Sequence, residues 1–170
     1  MKISTRARYA LRFMIDLASH SPSESPVVLG DIAKRQHISK RYLEQLATNL
    51  KNAKLVMAST GRGGGYTLRR APQDIRVGEI IRATIGEINL LECVANASLC
   101  FRSEQCPSRK MWVRLTEQIN EIVDSFTLAE VCEETTTVLV SRTTCGVDVP
   151  LCSKTTSNQH RLVMGKTAPQ

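Results

Sequence analysis

The chain has 170 residues, 42% hydrophobic but only 4% aromatic, enough for one small domain with an aliphatic core plus extensions. No apolar run reaches the ~18 residues of a membrane-spanning helix, and the start mixes Lys2, Arg6, Arg8 and Arg12 with apolar residues instead of a continuous secretory stretch, so a cytoplasmic protein that makes no membrane contact is expected. The net charge of +7 is uneven: residues 1–72 hold 13 Lys or Arg against 4 Asp or Glu, and residues 73–170 hold 10 against 12. A basic excess confined to the N-terminal part suggests a polyanion partner, since Lys and Arg displace the counterions condensed on phosphates.

Residues 5–20 space Ala7, Ala10, Leu11, Met14, Ile15 and Ala18 as one face of a helix, with Ser4 or Thr5 as its cap. SPSESP (21–26) breaks it, and VV (27–28) suits a short strand. A short helix fits 29–36, with Ile32 and Ala33 facing inward, and His37-Ile38-Ser39 makes a tight turn. Ser39 caps a second helix that runs to about Asn52, with Tyr42, Leu43, Leu46, Ala47 and Leu50 in one stripe. Two helices joined by so short a turn form a helix-turn-helix. Strands at 55–59 and 66–70 flank the glycine-rich turn TGRGGG (60–65), which makes a basic hairpin, and Ala71-Pro72 ends it. GRGGG lacks the Lys-Ser/Thr ending of a phosphate-binding P-loop and joins two strands, so it reads as a wing instead.

A helix over 75–85 follows, with Val77, Ile80, Ile81 and Ile85 as its core face. Residues 86–106 have no period and read largely as loop. Pro107 opens a helix over 107–126 that carries Met111, Trp112, Leu115, Ile119, Ile122 and Phe126 at threes and fours. At about 30 Å long its apolar face is more than one small domain can cover, so it reads as a dimerisation helix. A short helix at 127–132 comes next, and the Ser/Thr-rich stretch 135–170, with a possible strand at 138–140, reads as a mobile tail. The expected fold is therefore mainly α with a small β-hairpin wing. It comprises a winged helix-turn-helix at 1–72, a linker helix and cysteine loop at 73–106, a dimerisation helix at 107–134 and the tail.

On double-stranded DNA the second helix of the motif enters the major groove with its N-terminal residues, here Ser39, Lys40, Arg41 and Tyr42. Arg41 can bond guanine edges, Lys40 phosphate or guanine, and Tyr42 can donate its hydroxyl to a phosphate. Arg62, at the bare hairpin tip, suits a narrow minor groove. Arg6, Arg8, Lys51 and Lys54 suit phosphates, which set position and salt dependence.

None of the six cysteines lies in the basic part. Cys93, Cys100 and Cys106 form C-x6-C-x5-C. In a reducing compartment such a cluster points to metal or redox chemistry, and soft thiolates favour iron–sulfur clusters, zinc or Cu(I). A cluster usually takes four protein ligands, so a fourth must come from elsewhere. There is no CxxC pair of the zinc-ribbon kind, and no His or carboxylate set at hydrolase spacing, which disfavours a zinc module or metalloenzyme. Thiol oxidation without a metal is the other reading of the same loop.

The segments ISTRARYALRFMIDLA (3–18), ISKRYLEQL (38–46), STGRGGGYTLRRAP (59–72), VGEIIRA (77–83), the cysteine loop and INEIVDSFTLAEV (119–131) together resemble the Rrf-type winged-helix regulators, with IscR-like, NsrR-like and CymR-like branches. The resemblance covers about residues 1–132. It implies a homodimer with crossed long helices on an imperfect palindrome, acting as a repressor, and a 2Fe–2S or, less in keeping, 4Fe–4S cluster on Cys93, Cys100 and Cys106 that senses iron–sulfur status, redox state or nitric oxide. CymR-like members lack the cluster. The fourth ligand departs from the relatives: IscR-like proteins use a histidine where this chain has Arg109, and NsrR-like proteins a carboxylate where it has Arg8. Glu44, His37, Glu92 and Glu104 remain, with Glu44 from the partner subunit the preferred candidate.

Overall fold

The computed structural model describes residues 4–21, 25–61 and 63–133. Helix α1 (Thr5–His20) starts where the Ser4 hydroxyl accepts from the Arg6 N–H, and buries Ala7, Ala10, Phe13, Met14 and Leu17 on one side. Helix α2 (Leu29–Gln36) has no side-chain cap at its start. It ends as His37 adopts a left-handed conformation (φ 52°), and the Ile38 N–H reaches back to the Ala33 carbonyl at 3.1 Å. That reversal buries Ile38 and releases Ser39, whose hydroxyl caps α3 (Lys40–Asn52) by accepting from the Tyr42 N–H at 3.3 Å. Leu43, Leu46, Ala47 and Leu50 turn α3 onto α1 and α2.

Strands β1 (Val56–Ser59) and β2 (Gly65–Leu68) pair antiparallel from Val56 opposite Leu68 to Ser59 opposite Gly65. The stretch expected as a strand at 27–28 contributes one bridge: Val27 and Tyr66 exchange two 2.9 Å backbone hydrogen bonds. Gly65 permits this approach, because a Cβ there would stand 2.4 Å from the Val27 carbonyl oxygen.

Helix α4 (Val77–Ile85) starts two residues later than its apolar run suggested, since Pro72–Asp74 take a 3₁₀ turn and Ile75 is extended. Its core face is also narrower than expected. Val77 and Ile80 are buried, but Ile81 is only half-buried and Ile85 is 40% exposed, while Thr84 takes the inward position of the last turn. The 86–106 segment holds a one-turn helix, α5 (Glu92–Ala95), and 3₁₀ turns at Ala97–Leu99 and Ser103–Gln105. Helix α6 (Pro107–Ser125) follows, then a short helical stretch at 128–133. One aliphatic core runs through all of this: Ile75, Ile80 and Leu128 join Phe13, Met14, Leu17, Ile32, Leu46 and Leu50. No described helix is long and apolar enough to cross a membrane.

The orientation of α2 against α1 depends on a buried acid. Asp16, with a fully buried side chain, takes Nε and Nη2 of Arg35 (2.6 Å at the shortest) and Nε2 of Gln36 at 2.8 Å. Arg12 in turn holds Gln36 by its side chain and its carbonyl. Burial pushes the Asp16 carboxyl up, but the hydrogen bonds from Arg35 and Gln36 outweigh it and hold the acid below its ordinary value.

Candidate nucleic-acid interface and cysteine loop

Ser39, Lys40 and Arg41 stand exposed on the first turn of α3, and Tyr42 is half-buried beside them. Arg6 and Arg8 are exposed at the start of α1. Two aromatic rings join these helix starts: Tyr9 meets Tyr42 edge to face at 5.9 Å, with the guanidinium groups of Arg8 and Arg12 over the Tyr9 ring at 5.0 and 5.5 Å. A cleft of about 300 Å³ between the two helices is lined by Arg6, Tyr42, Gln45, Leu46 and Asn49. Gln45 and Asn49 had no signal in the sequence beyond their exposed helical spacing. Lys51 and Lys54 are exposed at the far end of α3. Arg62 lies outside the described residues; the hairpin around it places Gly61 and Gly63 at positive φ, as its turn requires.

The opposite flank of α3 faces the wing across a groove of about 380 Å³, with Lys40 and Glu44 on one wall and Ser59, Thr60 and Gly61 on the other. Glu44 is exposed there.

Cys93 sits in α5, Cys100 ends the 3₁₀ turn after it, and Cys106 is the residue before α6. All three are half-exposed free thiols. The Ser108 hydroxyl, 3.1 Å from Cys106 Sγ, and the backbone N–H groups of Arg109 and Ser108 favour the Cys106 thiolate, with Arg102 adding its charge, so this thiol lies below its ordinary value. Arg109, at the position where the family resemblance implied a histidine ligand, instead donates its Nε to the Cys93 carbonyl at 2.8 Å and ties the loop to α6. Among the described residues no three His, Cys, Asp or Glu side chains are grouped to hold an ion. The donors therefore fit an iron–sulfur cluster in kind, as three partly exposed thiols on one short segment, but the single chain, among its described residues, does not gather them or add a fourth. Cys132 belongs elsewhere: it packs against the aliphatic core, and burial pushes its thiol up. Cys145 and Cys152 lie outside the described residues, as does the expected tail.

Helix α6 is amphipathic in an inverted sense. Thr116 is its only buried residue; Asn120 and Asp124, one and two turns on, face α4 and the segment after it. Met111, Leu115, Ile122 and Phe126 stay 37–58% exposed on the side away from the body.

A capped helix-turn-helix with a hairpin wing, basic on the α1–α3 face, defines a winged-helix DNA-binding regulator. A family model described as Rrf2, iron-dependent transcriptional regulator, matches residues 3–134, and the chain belongs to that family. It is 39% identical over 130 residues to the HTH-type transcriptional regulator IscR of Erwinia tasmaniensis, covering 76% of this chain and 78% of that protein. It is 38% identical over 135 residues to CymR of Bacillus subtilis, covering 79% and 92%. Among solved structures, the IscR of T. potens superposes with a TM-score of 0.64 at 37% identity, covering 79% of this chain and 88% of that one. The structure of CymR, the global cysteine regulator of B. subtilis, gives 0.64 at 36%, covering 79% and 98%. These relatives are transcriptional regulators and not enzymes, and so is this chain.

Proposed function

We propose that the chain is an iron–sulfur-cluster-dependent repressor that binds an imperfect palindrome as a homodimer in the cytoplasm. The observation that carries this reading is the set of three accessible thiols, Cys93, Cys100 and Cys106, confined to one loop at the base of α6. These residues hold a 2Fe–2S cluster in preference to 4Fe–4S, with Glu44 of the partner subunit as the fourth ligand. A carboxylate is a harder and more exchangeable ligand than a thiolate, which suits a cluster meant to be lost or altered. When bound, the cluster supplies a group that oxidants, iron scarcity or nitric oxide can change. The chain's own residues do the rest. Arg41 and Lys40 read bases, Ser39 and Tyr42 dock beside them, Arg62 enters the minor groove, and Arg6, Arg8, Lys51 and Lys54 hold phosphates. Glu44 lies on the recognition helix, so its engagement bears directly on DNA docking. The exposed apolar stripe of α6 packs against its copy in the partner. Residues 1–72, 73–106 and 107–134 serve as reader, sensor loop and dimer helix.

Iron and sulfide content with a visible spectrum, on protein purified without oxygen, test the reading. Iron and sulfide in the wild type that are lost on Cys93→Ser, Cys100→Ser or Cys106→Ser are expected, and Glu44→Ala weakens cluster retention. A second reading rests on the favoured Cys106 thiolate: a cluster-free thiol switch on the same fold. It predicts a colourless protein whose DNA affinity responds to oxidants and is restored by reductant.

A further inference from the structure

Among the polar contacts that the family match and the DNA-reading face leave without a role is the one between α4 and α6. Arg82 of α4 donates Nη2 to Asp124 Oδ1 at 2.5 Å and Nη1 to Asn120 Oδ1 at 3.4 Å, both on α6. The pair is partly solvated, with Arg82 26% and Asp124 40% exposed, so it adds little to stability. Its geometry is nonetheless tightly set. Gly78 lies beneath it, and a Cβ there would stand 1.8 Å from Asp124 Oδ1 and 2.9 Å from Arg82 Nη2. The close seat exists because position 78 has no side chain.

The remaining hydrogen-bonded links between α6 and the body lie mostly in the same two turns and just beyond. Arg76 Nη1 donates to the Ser125 carbonyl at 3.2 Å, the Val77 N–H to the Phe126 carbonyl at 3.0 Å, and the Leu128 N–H to the Ile75 carbonyl at 2.9 Å. Asn120 Nδ2 also reaches the Ile88 carbonyl at 3.1 Å. The backbone links hold the end of α6, and the Arg109 Nε bond to the Cys93 carbonyl ties its start to the cysteine loop. Arg82, gripping Asn120 and Asp124 one turn apart, joins the middle of α6 to α4 by an ion pair and a hydrogen bond.

We propose that Arg82 is a positioning residue for operator recognition: its fork on Asp124 and Asn120 sets the angle between the winged body and the dimer helix, and so the spacing of half-sites the dimer accepts. This rests on the palindrome-binding homodimer proposed above. Over a helix of 19 residues, about 28 Å long, a tilt of about 10° carries one end about 5 Å. One base-pair step is about 3.4 Å, so such a tilt exceeds a full step of misregister.

The test uses the full-length wild-type protein and Arg82→Ala, with Gly78→Ala as a second variant that wedges the seat open without removing a charge. The probe is the tightest duplex the wild type selects from a random-sequence pool, then the same duplex with one base pair added or removed at its centre, and its isolated half-site. For the wild type, changing the centre by one base pair is expected to lower affinity at least tenfold. For Arg82→Ala and Gly78→Ala that penalty should fall below about threefold, with half-site affinity within twofold of wild type. The charge-swapped double variant Arg82→Asp with Asp124→Arg should restore part of the penalty. Retention of the full penalty in both single variants overturns the proposal, as does a parallel loss of half-site affinity, which would mark a purely structural role. A wild type indifferent to central spacing overturns the palindrome-binding dimer together with it.

Discussion

Replacing Ile122 tests the dimer helix directly. It is the most exposed of the four α6 stripe residues, with 58% of its surface in solvent. Burying a whole isoleucine is worth roughly 1.5–3 kcal/mol, so covering the exposed part yields about 1–2 kcal/mol per copy. Two-fold symmetry places the residue in the interface twice. Ile122→Ala removes most of this, about 2–3 kcal/mol per dimer, and should raise the dimer dissociation constant roughly 30- to 150-fold. Ile122→Glu should go further, because a carboxylate buried without a partner costs several kcal/mol in each copy. Sedimentation velocity over a dilution series reads the change. Far-ultraviolet dichroism and half-site affinity should stay as in the wild type, since within one chain the side chain points to solvent. Wild-type dilution behaviour in both variants would refute the assignment of this face.

Asp16→Asn should cost roughly 2–4 kcal/mol in chemical denaturation, because the fully buried acid loses charge-assisted hydrogen bonds from Arg35 and Gln36. Asp16 is held below its ordinary value, so its contribution is present above about pH 4 and is lost as pH falls through the lowered value; the gap between wild type and variant should close in that range. Arg41→Ala should lose about 1–3 kcal/mol at one base pair and relax specificity there, whereas Arg6→Ala should weaken all sequences alike and reduce the salt slope by about 1, both read by binding titrations at several salt concentrations. Gly65→Ala should drive Val27 off the wing and speed exchange of the Val27 and Tyr66 amides, since the obstructing atoms are backbone and cannot swing aside. Cys132→Ser should leave iron content unchanged, in contrast to each loop cysteine, because Cys132 packs against the aliphatic core.

The sequence carried the local parts of this fold well. Ser4 and Ser39 mark both key helix starts through hydroxyl caps, and on α3 Leu43, Leu46, Ala47 and Leu50 face inward as their spacing implies, whereas on α1 the buried face is rotated from the expected stripe: Phe13 and Leu17 are buried, and Leu11, Ile15 and Ala18 only partly so. Non-local facts were not legible. Asp16 sits among apolar neighbours in FMIDLA, and its burial is explained by Arg35 and Gln36, which come from another helix. Val27 looked like part of a short strand, yet among the described residues it makes a single bridge, to Tyr66 in the wing. In α4 the apolar count overstated the buried face, since the last turn turns Thr84 inward and leaves Ile85 exposed. For the site, residue types and spacing singled out the cysteine loop. Ligand convergence is different, because it depends on loop geometry and on a second chain, and spacing encodes neither. Arg109 illustrates this: it stands where the resemblance implied a histidine, and only the structure shows it bracing Cys93.

The measurement that bears most directly on cluster-dependent regulation is the affinity of oxygen-free protein for its selected duplex, before and after the cluster is stripped, with iron and sulfide counted on the same samples. A brown protein containing iron and sulfide is expected, with DNA affinity shifting at least tenfold on stripping and no such shift in Cys106→Ser. A protein that stays colourless after reconstitution with iron and sulfide, or whose affinity is the same with and without the cluster, would contradict it.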